Sequence, residues 1–344
     1  MKKNWILFSA LAIFAFAILG CDSQVKQQKR LSIVATTFPD YDWVKNLVGD
    51  DSLFEITLLE KGVDLHSFEP TPENILQISK ADLFIYVGGE SDEWVEKALE
   101  NPQNPNRKVV NMLHVLGDKV KAEEHVEGME EGHHHHEHHE HAEDHDDDHE
   151  HHEHAEHHEH EEHHHEDGEE MDEHVWLSLQ NASILVRHIA DSLVVLSPEK
   201  KEMILANAQS YIEKLNALDA DYIKAVVPGK AILFGDRFPF RYLVEDYHIP
   251  YFAAFTGCSA ETEASFKTIA FLAKKVDELH LNTILVLENR SHKIAETIRE
   301  NTASKDQQIL QMHSIQSISD VDLQNGVSYY ELMKQNLETL KKAL

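Results

Sequence analysis

Short continuous runs of apolar and β-branched residues recur along this chain, with amphipathic segments between them. Residues 31–37 (LSIVATT), 54–59 and 81–87 are such runs, and 108–112 is a weaker one. Runs this short, bounded by turn residues, predict strands. Between them, 42–48, 73–79 and 93–99 carry helical periodicity. Thr71 suits an N-cap, and Pro72 suits the first helical position, where a missing N–H costs nothing. After a long polar interruption, 176–196 predicts a helix. Ser197-Pro198 opens a second helix reaching about 226, with Leu205, Ala208, Ile212 and Leu215 at helical spacing. Strands at 231–234, 251–255, 283–287 and 308–312 then alternate with helices at 240–247, 260–281, 291–301 and 329–344. This alternation predicts an α/β protein of two small parallel β/α lobes joined through long helical structure. Ligands of such folds bind outside the carboxyl ends of the strands, so residues just after strands matter most.

The interruption changes this picture. From His133 to His165 there are 18 histidines, 13 acids, two alanines and nothing else. The histidines are His133, His134, His135, His136, His138, His139, His141, His145, His149, His151, His152, His154, His157, His158, His160, His163, His164 and His165. Imidazole is neutral and metal-binding near pH 7, and interleaved carboxylates draw cations in. The tract therefore reads as a weak collector of divalent metals such as zinc, beside the blander reading of an acidic spacer. It is internal, so a terminal tag does not explain it, and it is too polar to build a core. It also accounts for the charge. Residues 122–173 hold 24 acids and no Lys or Arg, whereas elsewhere 38 acids face 31 bases. With no basic patch, nucleic-acid binding is excluded as an expectation.

The first twenty residues predict a targeting segment. Lys2 and Lys3 precede an apolar stretch from 5 to 19, about the length of a secretory signal rather than a spanning helix. ILGC at 18–21 resembles a bacterial lipobox, which makes Cys21 the lipidated first residue of the mature chain. Residues 22–30 are polar and suit a tether. The expected organisation is a signal at 1–20 and a tether at 21–30. An N-terminal lobe at 31–196 follows, containing a disordered histidine-rich, acidic insert at 122–173. A linking helix at 197–227 leads to a C-terminal lobe at 228–344. The second cysteine, Cys258, leaves no partner for an intramolecular disulfide once Cys21 is lipidated.

Four side chains fall at strand ends or helix starts: His66, His174, Asp236 and His313. A lone histidine is usually a surface or core residue, but three around one inferred cleft point to metal. His292 is held in reserve. Cys258, in TGCS at 256–259, would be a soft ligand, against the common case of a buried free cysteine.

These segments resemble the zinc and manganese ABC-transporter solute-binding lipoproteins. GVDLHSFEP at 62–70 is similar to their G-x-x-x-H-x-F/Y-x-P motif, and ADLFIYVG at 81–88 to the segment that follows. DEHVWLS at 172–178 is similar to D-P-H-x-W-L-S/D, with the His-rich loop just upstream as in zinc members. SYYELMKQNL at 328–337 resembles their C-terminal motif. The resemblance implies two α/β lobes bridged by a rigid long helix, one metal between them, and delivery to an ABC permease and its ATPase rather than catalysis. It implies His66 and His174 as first-lobe ligands. The third ligand, a His or Glu, falls at Gly235, which has no side chain, so Asp236 becomes the neighbouring candidate. The fourth, an acid after the last strand, aligns with His313. Three imidazoles with a carboxylate suit Zn²⁺, and Mn²⁺, Cu²⁺ and Ni²⁺ stay open. The expected protein is a monomer, extracytoplasmic and lipid-anchored. Two rivals remain: a zinc storage or adhesion lipoprotein without a permease, and a zinc metallohydrolase. The second lacks an H-E-x-x-H helix or a nucleophile motif.

Overall fold

In the computed structural model, residues 30–130, 170–259, 263–288 and 291–344 are described. The signal segment, Cys21 and the histidine tract lie outside them. Two four-stranded sheets form the frame, both wholly parallel. The first holds β1 (Leu31–Ala35), β2 (Phe54–Leu58), β3 (Leu83–Tyr86) and β4 (Lys108–Asn111) in the order β2-β1-β3-β4. The second holds β5 (Ile232–Phe238), β6 (Tyr251–Thr256), β7 (Thr283–Leu287) and β8 (Gln308–Met312) in the order β6-β5-β7-β8. Parallel pairing needs crossover connections, and the chain supplies them as helices. Helices α1 (Phe38–Val48), α2 (Pro72–Lys80) and α3 (Trp94–Leu99) serve the first sheet. The short α4 (Met112–Leu116) follows β4.

The first helix begins at Phe38, four residues before the sequence pattern suggests. Pro39 lies in its first turn and Thr37 takes the N-cap position with extended backbone. In α2, Thr71 does cap as expected, in a reciprocal capping box with Asn74.

Helix α5 (Leu179–Leu196) pairs with α6 (Lys201–Ala225). The 25 residues of α6 span about 37 Å at about 1.5 Å per residue. Its two ends serve different lobes. Asn207 Nδ2 donates to Leu47 O in α1 (2.9 Å), and Tyr222 Oη donates to Met333 O in the C-terminal helix (2.6 Å). Helices α7 (Arg241–Tyr247), α8 (Phe266–Glu278), α9 (Lys293–Glu300), α10 (Asp320–Gln324) and α11 (Tyr329–Ala343) complete the second lobe. Ser265 caps α8, so that helix starts after the Ala260 of the sequence pattern, which itself lies outside the described residues. No helix among the described residues is long and apolar enough to cross a membrane.

The expected insert has ordered ends. Ala122 and Met171 form an antiparallel bridge, and Glu123 N donates to Glu170 O (2.8 Å). Residues 124–130 then run onto the second lobe. Met129 is buried, Glu130 N donates to Ala254 O (2.9 Å), and Gly128 lies so close under Phe271 that a Cβ would overlap its ring.

Candidate metal centre

The chain leaves β2 and turns at Gly62, whose φ of 66° favours glycine. Asp64 then caps the single 3₁₀ turn Leu65–Ser67 by accepting from His66 N (3.2 Å), while Leu65 anchors that turn in the core. The His66 ring sits with Nδ1 2.7 Å from Ser91 Oγ and 3.7 Å from Glu173 Oε2. His174 follows the insert's stem. Asp172 Oδ1 accepts from the His174 backbone N–H (2.8 Å) and meets its Nδ1 at 3.1 Å. A carboxylate on Nδ1 fixes the tautomer and leaves Nε2 to bind. The two rings lie 5.5 Å apart between centroids.

A third donor comes from an unexpected strand end. A Cβ on Gly235 would stand 2.7 Å from Ala295 Cα, because the backbone of α9 crosses there. No histidine or glutamate fits at this position. The neighbouring loop after β6 offers a donor instead: Gly257 passes His174 closely, a Cβ there standing 3.3 Å from His174 Cε1, and Cys258 follows it. Donor atoms of His66, His174 and Cys258 all lie within 4.8 Å of one another. Tetrahedral zinc holds nitrogen and sulfur donors roughly 3.3–3.6 Å apart, so small side-chain shifts close this triangle on an ion.

The other two sequence candidates serve elsewhere. The register of β5 shifts between Phe234 and Arg237, and Asp236 sits in that irregularity. Its oxygens accept from Arg237 N (2.8 Å) and Leu287 N (3.2 Å), tying β5 to β7. His313 pairs with Glu288 at 3.4 Å, and its backbone N–H and C=O are both held by Asn336. The structure does not bring either into the His66–His174–Cys258 group. Cys258 was visible only as a cysteine after a strand. Gln316, whose side chain ends 3.2 Å from His174 Nε2, gave no sequence signal.

Between the lobes is a cavity of about 330 Å³ lined by Asp64, Arg237, Leu287, Glu288, Ser314, Gln316 and Ser317. Arg237 Nη2 meets Asp64 Oδ2 across it at 2.5 Å. Burial alone would raise the Asp64 carboxyl, but the Arg237 charge and hydrogen bond bring it down to about 2. At His174 burial opposes protonation, yet the charge and hydrogen bond of Asp172 outweigh it and the ring's pKa is raised. Burial, then the Glu123 charge, push the Cys258 thiol up, so it keeps its proton until a metal displaces it. Other buried acids couple to this wall. Burial raises Glu173, and raises Glu60 well above its ordinary value with help from the charges of Asp92 and Asp40.

Two parallel α/β lobes on a long helix, with nitrogen and sulfur donors converging between them, define a metal-binding cleft protein. The chain belongs to the family described as zinc-uptake complex component A, periplasmic, which it matches over residues 33–343. This is a family of uptake-complex components and not of enzymes. It is 31% identical over 347 residues to the zinc-binding lipoprotein AdcA of Streptococcus pneumoniae, covering 99% of this chain and 61% of AdcA. The chain thus spans about three fifths of that relative's length. It is 29% identical over 351 residues to the high-affinity zinc uptake system protein ZnuA of Bacillus subtilis, covering 100% of this chain and 99% of that protein. Among solved structures it is similar to the Zn(II)-bound ZnuA-like domain of S. pneumoniae AdcA (TM-score 0.65, 27% identity). That match covers 91% of this chain and 98% of that one.

Proposed function

We propose that this protein captures Zn²⁺ outside the cytoplasm and delivers it to an ABC importer, through its permease and ATPase. The observation that carries the reading is the His66–His174–Cys258 group in a family whose relatives bind zinc. Two neutral imidazoles and one thiolate suit Zn²⁺ better than Mn²⁺, which prefers oxygen. Uptake proteins must also release their cargo. A site shared between two lobes does so when the lobes separate, because each lobe alone holds only part of the donor set. The histidine tract, 133–165, would gather ions, and Cys21 would hold the protein on the membrane by its lipid.

Zinc titration of the purified protein, with a chelator competing for the weak tract sites, tests the first step. One site much tighter than the rest is expected, and it should vanish in the double variant His66→Ala/His174→Ala. Retention of the tight site in that variant would place it elsewhere. Anchoring is tested separately. Cys21→Ser should move the protein from the membrane fraction to the soluble one, and unchanged fractionation contradicts lipidation at this residue.

A further inference from the structure

The end of β5, where the family resemblance implies the third metal donor, sends a cation into the cleft instead. The register of β5 shifts between Phe234 and Arg237, and irregularities of this kind re-aim a side chain. Asp236 pins this one by accepting from the Arg237 backbone N–H (2.8 Å). The Arg237 side chain, only 5% exposed, then reaches two partners with the two ends of its fork. Nη1 donates to the backbone O of Ser259, the residue after Cys258 (3.1 Å), and Nη2 donates to Asp64 Oδ2 (2.5 Å). Asp64 is in turn the acid that accepts from His66 N (3.2 Å). One guanidinium therefore ties the Cys258 loop of the second lobe to the His66 turn of the first.

We infer that Arg237 is a positioning residue for the metal, holding Cys258 and His66, donors from opposite lobes, in register for one ion. This rests on the zinc reading of the His66–His174–Cys258 group. A guanidinium has no acceptor and cannot itself be a ligand. Its positive charge repels a divalent ion. By charge alone, removing Arg237 would tighten metal binding, the more so because the Asp64 carboxylate would lose its counter-charge. By position, removing it uncouples the Cys258 loop from the His66 turn and weakens metal binding. The two effects have opposite signs, so the direction of the change decides between them. The fork also transmits geometry as well as charge, because its nitrogens stand at fixed spacing in one plane. A lysine would keep the charge but offer a single ammonium in place of the fork.

The test uses Co²⁺ as a spectroscopic probe in the full-length chain carrying Cys21→Ser, so that Cys258 is the one thiol. The thiolate-to-cobalt absorption then reports on the cleft and ignores the histidine tract. Arg237→Met keeps the apolar stem and should need at least about tenfold more Co²⁺ to develop this band, a loss on the scale of an outer contact. Arg237→Lys should fall between that variant and the parent. The double variant Asp64→Asn/Arg237→Met has the net charge of the parent, and Asn still caps the His66 turn. It should stay as weak as Arg237→Met. Metal-free melting temperatures should agree within a few degrees throughout. The inference is overturned if Arg237→Met binds Co²⁺ as tightly as the parent or more tightly. It is also overturned if Arg237→Lys matches the parent, or if the double variant regains the parent's affinity, since charge would then carry the effect. Failure of both Arg237→Met and Arg237→Lys to fold without metal would assign the residue to the fold and overturn it too. Absence of the thiolate band in the parent would instead remove the zinc reading and this inference with it.

Discussion

Each of the three candidate donors is set by a neighbouring carboxylate. Asp172 fixes the His174 tautomer, Asp64 fixes the His66 turn, and Glu123 holds the Cys258 backbone N–H at 2.9 Å. Removing a donor should therefore cost more than the 10- to 100-fold typical of outer contacts. Cys258→Ser, His66→Ala and His174→Ala are each expected to weaken zinc binding by more than about 100-fold. His313→Ala and Asp236→Asn should stay within about threefold, since Glu288, Leu287 and Arg237 occupy them. Chelator competition checks the whole set, and a His313→Ala defect equal to His174→Ala would return His313 to the site. The sequence made His66 and His174 legible because each carries its own local frame, an acid two residues earlier that accepts from the histidine's backbone N–H. Cys258 was not legible as the third donor. Its place beside the histidines follows from the close approach of Gly257 to His174, a contact between segments 83 positions apart that no local pattern encodes.

At the scale of elements, alternation read the sheets well. All eight predicted strands exist: the inner strands β3 and β7 carry the continuous apolar runs that burial on both faces requires, while the edge strands β4 and β8 are largely exposed. The misread region is 122–130. Its composition joins it to the acidic tract, yet it docks on the second lobe through Met129 and Glu130, the latter accepting from Thr268 Oγ1 at 2.7 Å. One buried methionine and one half-buried carboxylate carry no periodicity, so composition dominated the reading. The consequence is a pair of deletions with opposite outcomes. Replacing 131–169 by a short Gly/Ser linker should preserve the tight zinc site and the melting temperature within a few degrees. Extending the deletion back to 122 removes the Ala122–Met171 bridge and the Glu123 contact to Cys258. That chain should melt earlier by several degrees and bind zinc at least tenfold more weakly, a loss on the scale of outer contacts. Thermal melts and zinc titration of both chains decide this, and equal behaviour would make 122–130 dispensable.

For the whole molecule, acid should act oppositely on the metal-free and zinc-loaded forms. Burial raises Asp40 and Asp92 to about 7 and Asp42 to about 6, all above the usual carboxylate range. A carboxyl with a raised folded pKa binds its proton more readily folded than unfolded. Its stabilisation is full below the unfolded value near 4 and is lost as pH rises toward 7. The raised His174 acts in the same direction at its higher window. Asp64, held at about 2, opposes this only when pH falls below about 4. The metal-free protein should therefore melt higher at pH 5 than at pH 7.5. Asp40→Asn should raise the melting temperature at pH 7.5 and not at pH 5. The full shift of about three pKa units bounds that gain at about 4 kcal/mol. Zinc reverses the trend. At a thousand times its dissociation constant it adds about 4 kcal/mol at pH 7.5, but by pH 5 protons hold His174 and the Cys258 thiol. The zinc-induced rise should thus be large at pH 7.5 and nearly absent at pH 5. Melts of the chain lacking 131–169, with and without zinc at both pH values, measure all four corners. A metal-free form that is less stable at pH 5 would show that the buried acids do not govern this window. A zinc effect that persists at pH 5 would show that the bound ion is not held by titrating nitrogen and sulfur.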